Sequence, residues 1–251
     1  MRTITLTCVL GFTGLLATSA SADISLEEYS FRNIPNNTDP WASTGPNEPS
    51  LAPAVVATGI LANSLTRGPA LTGDTTGDAP ISKEFIASTL PSTPTLDLGS
   101  GAYISWGFSV PAGGSAAVST VYYYYAGQSW GGGPYTGPAH CQLFYTLDGG
   151  STLYAVDSSA NTMTINGTGG GGKATDSVNI NVSSGQTVEF RLYIWAATQS
   201  YSWLFMKDVL GGPSGTNNGV EVLGTFTAVP APGSGALVVA ASAWCARRRR
   251  H

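Results

Sequence analysis

The sequence predicts an all-β fold, a single β-sandwich of the jelly-roll type, and three observations carry that expectation. Apolar and polar residues alternate at period two through several short segments, no segment sustains a 3.6-residue period, and Gly- and Pro-rich turns separate the segments. Composition agrees: only 10% of the 251 residues are charged while Gly reaches 32, which suits short strands joined by many turns. With 42% hydrophobic residues the chain can bury a sizeable core.

Residues 1–22 read as a secretory signal helix. Arg2 supplies the basic start, Leu6 to Leu16 the apolar stretch, and Ala20-Ser21-Ala22 the small-x-small site that a signal peptidase accepts. The β-sandwich is expected over residues 23–228. Its first part, to about residue 100, is rich in Pro, Ser, Thr and Asn, with short apolar runs such as Leu51 to Ile60. Strand sequence then becomes clear. In Ala102 to Val110, the side chains of Ile104, Trp106, Phe108 and Val110 share one face, and Pro111 to Gly114 turns the chain. Ala117 to Ala126 is a second strand, with Tyr122 to Tyr125 placing two rings on each face. Cys141 to Leu147 is a third, and Asp148-Gly-Gly-Ser151 makes a hairpin turn into Thr152 to Val156. Thr187 to Trp195 buries Val188, Phe190, Leu192 and Ile194 and turns Glu189, Arg191, Tyr193 and Trp195 outward. Trp203 to Leu210 and Val220 to Val229 complete the sheets.

Charge and cysteine usage exclude several functions. Five of the 11 basic residues, Arg2 and Arg247 to Arg250, lie in the ends, whereas all 15 acidic residues lie between them. A domain this acidic has no basic stripe to neutralise phosphates, so nucleic acid is excluded as a partner. Cys8 and Cys245 also lie in the ends, leaving Cys141 alone, alternating with Leu143, Tyr145 and Leu147 as a small buried hydrophobe.

Residues 229–251 run Val229-Pro230-Ala231-Pro232, then a small apolar helix from Gly233 to Ala246, then Arg247, Arg248, Arg249, Arg250 and His251. This order resembles the PEP-CTERM sorting signal of bacterial surface proteins. The resemblance implies an exosortase-like processing enzyme as partner and initial insertion of the tail in the inner membrane. The prolines extend the chain and the arginines hold its end on the cytoplasmic side. Ala231 stands where the motif carries Glu, and the 14 apolar residues reach roughly 21 Å against a core of about 30 Å. An unprocessed tail anchor, or a disordered basic tail, is therefore the alternative to cleavage. In the body, Val55 to Ile60, Leu65 to Gly68, Tyr145 to Gly150, Val188 to Tyr193 and Asp208-Val209 look like a jelly-roll domain found in many sorted PEP-CTERM proteins. That resemblance implies fold and location and supplies no catalytic residues.

Motifs for chemistry are sparse. Gly167 to Lys173 has P-loop spacing, but Ala174 replaces the hydroxyl and strand-like sequence follows, so a flexible turn is expected. Gly127-Gln-Ser-Trp-Gly131 fits a nucleophile elbow, but Gly132 to Pro138 cannot form the helix it needs, and Ser129 is expected in an exposed loop. Glu189 and Glu221 are the strand carboxylates available for glycoside hydrolysis, and Glu189 is expected to pair with Arg191 instead. Asp74, Asp78 and Asp148 are the carboxylates for a calcium site, although their spacing matches no EF-hand. The aromatic residues Trp130, Tyr135, Tyr193 and Trp195 are the candidate glycan-stacking groups. The expectation is an exported, non-enzymatic surface or matrix protein associated with extracellular polysaccharide; the alternative is a carbohydrate-binding module, and a glycan hydrolase ranks third.

Overall fold

The computed structural model describes residues 22–31, 50–73, 84–87, 90–129, 138–156, 161–162, 170–197, 202–207 and 219–228. Their strands are, in chain order, β1 (Ile24–Tyr29), β2 (Ser50–Leu51), β3 (Val55–Val56), β4 (Leu61–Ala62) and β5 (Leu65–Arg67). Next come β6 (Glu84–Ala87), β7 (Tyr103–Ser109), β8 (Gly114–Ser129), β9 (Pro138–Thr146) and β10 (Tyr154–Ala155). The last are β11 (Asn161–Thr162), β12 (Gly170–Val182), β13 (Thr187–Ala197), β14 (Ser202–Lys207) and β15 (Val220–Ala228). They form two antiparallel sheets, and the fold is all-β, a β-sandwich. The first sheet runs β3-β1-β15-β8-β14-β6, with β12 along the other edge of β8; the second runs β10-β9-β13-β7-β5-β2, with β11 on β9 and β4 on β7.

The core lies between the sheets and follows from period two. From the second sheet, Ile104, Trp106, Phe108, Val188, Phe190, Leu192 and Ile194 are buried together, as the alternation predicts, along with Cys141 and Leu143. The first sheet contributes Val118, Val121, Tyr123, Tyr125 and Val222. The Trp106 ring meets Tyr123 across the interface at 6.2 Å between centroids and stacks on Phe190 at 6.0 Å. Tyr123 and Tyr125 thus point inward, while Tyr122, on the other face of β8, is buried as well.

Three expectations change. The segment before residue 100 contains β1, which lies inside the first sheet between β3 and β15. A bulge between Ser25 and Glu27 breaks its alternation, so that Leu26, Glu27, Glu28 and Tyr29 are all buried, a pattern that two adjacent glutamates conceal. Gly170 to Lys173, expected as a turn, is strand backbone paired with Tyr124 to Gly127. Ser129, expected in a loop, ends β8 opposite Ser202. Ala20, Asp74, Asp78, Trp130, Tyr135 and residues 229–251, including Pro230, Ala231, Pro232 and the four arginines, lie outside the described residues. Among the described residues, no helix is long and apolar enough to cross a membrane.

One polar contact ties the two sheets. In an antiparallel hydrogen-bonded pair, two residues exchange both N–H···O bonds. Asn63 and Gly107 exchange only one, with Asn63 N donating to Gly107 O at 2.7 Å. The Tyr29 phenol from the first sheet occupies the other position: it donates to Asn63 O and takes a hydrogen bond from the Gly107 backbone. Glu27, on the same face two residues earlier, is fully buried with Oε2 3.3 Å from the phenol oxygen. Burial pushes its acid up to about 8, while the hydrogen bond with Tyr29 works in the opposite direction.

A carboxyl with a raised pKa binds its proton more tightly in the folded state than in the unfolded chain. Folding therefore takes up a proton between the ordinary glutamate value of about 4.3 and about 8, and stability falls as pH rises through that window. Glu27→Gln, a neutral isostere, should remove this slope and be more stable than the parent by a few kcal/mol at pH 8. Urea denaturation of both proteins across the window checks this; parallel stability curves would contradict it.

Candidate functional site

The outward face of the second sheet carries most of the polar chemistry that the described residues bring together. Register builds it in rows: Gly107–Glu189–Thr146, then Thr66–Ser105–Arg191–Phe144, then Tyr103–Tyr193–Gln142. Arg191 Nη2 lies 2.8 Å from Glu189 Oε2, and its guanidinium carbon sits 4.7 Å from the centre of the Tyr103 ring. The hydrogen bond to Glu189 holds the arginine above its ordinary pKa against the opposing effect of burial, so the guanidinium is charged throughout the working range. The expected pairing of Glu189 with Arg191 is therefore present.

Beside this pair, Asn63, Ser64, Thr66, Ser105, Trp106 and Glu189 line a pocket of about 300 Å³. Asn63 and Ser64 come from the break between β4 and β5, which follow one another along β7; Thr66 and Ser105 face each other across β5 and β7 with hydroxyls 3.1 Å apart. Gly107 on β7 stands opposite Glu189. Its φ is +144°, and an added Cβ would stand 2.1 Å from the Val188 carbonyl oxygen, so only glycine fits. Sequence reasoning missed Asn63, Ser64, Thr66 and Ser105. Ser105 was legible as the polar outward position between Ile104 and Trp106, but its distant partners in the chain were not.

Two expected stacking residues are not available. Tyr193 and Trp195 do fall on the outward register, but they are 1% and 6% exposed. The chain leading into β7 lies along the end of β13, where Ala197 N donates to Pro91 O, Ala196 N to Thr93 O and Ile194 N to Ala102 O. Tyr193 donates its phenol proton to Leu98 O at 3.1 Å and packs against Tyr103 and Phe144, while Trp195 lies against His140. Among the described residues the exposed aromatic ring is instead Tyr154, stacked on Tyr145 at the edge strand β10.

The carboxylates also fall differently than expected. Glu189 and Glu221 lie in opposite sheets, and β1 adds two strand glutamates that the sequence concealed, with Glu28 directly opposite Glu221. Asp148 closes its own turn. Its Oδ1 accepts from Thr152 N at 2.9 Å and from the Thr146 hydroxyl at 2.7 Å, bonds that hold its pKa down to about 2. That carboxylate oxygen is committed to the hairpin. Among the described residues no three or more His, Cys, Asp or Glu side chains group as metal ligands.

The pocket lining holds one carboxylate and no histidine among the described residues.

No protein-family model matches the chain, and no curated protein does. Among solved structures, the chain is similar to one described as "CBM4 structure and function", at 9% identity and a TM-score of 0.28, covering 68% of this chain and 94% of that one. It is also similar to the Arthrobacter globiformis T6 isomalto-dextranase complexed with panose, at 14% identity and a TM-score of 0.25, covering 69% of this chain. The chain spans 22% of that enzyme's length. Similarity of this degree assigns no activity.

The geometry sets apart two glycines. Gly107→Ala should cost on the order of 3 kcal/mol or more, because the backbone oxygen it meets cannot withdraw. Gly149→Ala, at φ +72° with nothing within 4 Å of an added Cβ, should cost only about 1 kcal/mol. Thermal or urea denaturation ranks them, and equal losses would contradict the close approach at Gly107.

Proposed function

We propose that the protein is exported, sorted at the cell envelope, and holds extracellular polysaccharide there without cleaving it, through the pocket on the second sheet. The observation that supports binding is the pocket's chemistry. Three hydroxyl residues, one amide and one carboxylate braced by Arg191 surround about 300 Å³, the donor and acceptor set that a polyhydroxylated ligand satisfies. Sugars pair their hydroxyls with carboxylate–arginine networks because each hydroxyl both donates and accepts. Chain crossings between the sheets at β7–β8, β8–β9, β11–β12, β12–β13 and β13–β14 support the jelly-roll winding.

Export and sorting rest on the two ends. Signal peptidase would act after Ala22, and an exosortase-like enzyme on the tail at Pro230-Ala231-Pro232, with Arg247 to Arg250 keeping the end at the membrane's inner side.

Titration of the purified protein with a panel of soluble neutral polysaccharides, with and without calcium, tests the binding. Saturable binding is expected, weakened at least tenfold (about 1.4 kcal/mol) by Ser105→Trp, which fills the pocket, and by Glu189→Ala. Trp195→Phe, at a covered position, should leave affinity unchanged. Release of new reducing ends would replace binding by hydrolysis, and silence across the panel would overturn the reading. Deleting residues 230–251 should send the protein to the medium; continued attachment to the envelope would refute the sorting role.

A further inference from the structure

We propose that Tyr29 is a positioning residue for the pocket and that Glu27 is its proton switch: the protonated pair holds the Asn63–Ser64 rim against β7, and loss of the Glu27 proton releases it. The consequence for ligand rests on the pocket reading above; the switch itself does not.

The phenol has one proton and can accept two. It donates that proton to Asn63 O and accepts from the Gly107 backbone, so its remaining acceptor site faces Glu27 Oε2 at 3.3 Å. A neutral Glu27 donates into that site, and every bond at the phenol is then satisfied. An ionised Glu27 can only accept. It competes with the Asn63 carbonyl for the single phenolic proton, and a charged acceptor forms the stronger bond. Tyr29 then turns its proton to Glu27, and Asn63 O loses its donor. The rim that this bond closes is part of the pocket lining, so the pocket changes with it.

The site is built for a protonated acid. Glu27 is fully buried, and its Oε1 has no hydrogen-bond partner. Its register neighbours on both sides are apolar, Val222 on β15 and Val56 on β3. From the second sheet, the groups that meet the phenol are the backbones of Asn63 and Gly107. Among the described residues, Glu28 and Glu221 occupy the opposite face of the first sheet, and Glu189 lies on the outward face of the second. Burial, which pushes Glu27 up to about 8, puts the change within reach of mildly alkaline solution.

The test needs no ligand. Amide NMR signals of Asn63, Ser64 and Gly107 in the full protein are followed from about pH 6 to about pH 9.5, together with their hydrogen exchange. In the parent the three signals should move together with a midpoint near 8. In Glu27→Gln, whose amide always donates to the phenol, they should stay at the low-pH position. In Tyr29→Phe they should show the released position at every pH, with exchange at least tenfold faster. Static rim signals in the parent, or the same titration in Glu27→Gln, would overturn the switch. A polysaccharide bound by the parent should lose affinity at least fivefold across the same range, and keep it in Glu27→Gln. Affinity that is unchanged while the rim titrates would overturn the link to the pocket, whereas a titrating rim with no polysaccharide bound would support the switch and count against the pocket reading alone.

Discussion

A β-sandwich holds its two sheets together with apolar contacts, and apolar contacts slide. The Tyr29 phenol is directional. It enters the place where β7 lacks a continuous neighbour, between β4 and β5, and bonds to the two backbone groups that this break leaves facing the core. Leaving a buried amide and carbonyl without partners would cost roughly 1–3 kcal/mol each, so the phenol both fills the gap and sets the relative position of the sheets there. The Asn63–Ser64 segment, and with it one wall of the pocket, depends on that insertion. Glu27 is the consequence: a carboxyl in the core that is tolerated because it keeps its proton.

The outward face of the second sheet follows from a different constraint. Gly107 allows β7 and β13 to approach until an added Cβ would stand 2.1 Å from the Val188 carbonyl oxygen. Next to it, Arg191 is held from several directions: by Glu189, by the Tyr103 ring, and by the hairpin turn at Gly150, where an added Cβ would lie 2.7 Å from the guanidinium. Asp148, which closes that turn, is thereby linked to the placement of the ion pair. The aromatic rings on this face are spent on packing, leaving hydroxyl, amide and carboxylate groups as the exposed chemistry.

Legibility differed from element to element for physical reasons. β7, β9 and β13 alternate cleanly, and their faces came out as the period implied. β1 did not, because a bulge shifts its phase and because Glu27 and Glu28 read as solvent-facing until their neighbours are known. Tyr193 and Trp195 show the limit of period two as a guide. Alternation states which side of a sheet a residue is on, and it cannot state what covers that side. The covering segment, residues 90–102, has no strand pattern of its own and docks by backbone bonds to the end of β13.

From sequence alone come the all-β class, the long strands, the hairpin at Asp148 to Ser151 and the character of the two ends, since each depends on residues close together in the chain. Tertiary structure decided the rest. The pocket joins residues from the break between β4 and β5, from β5, from β7 and from a strand more than 80 positions after β7's Ser105, and the phenol joins residue 29 to residues 63 and 107. Such juxtapositions depend on how sheets pack and which strands become neighbours, quantities set by the whole core and carried by no local pattern.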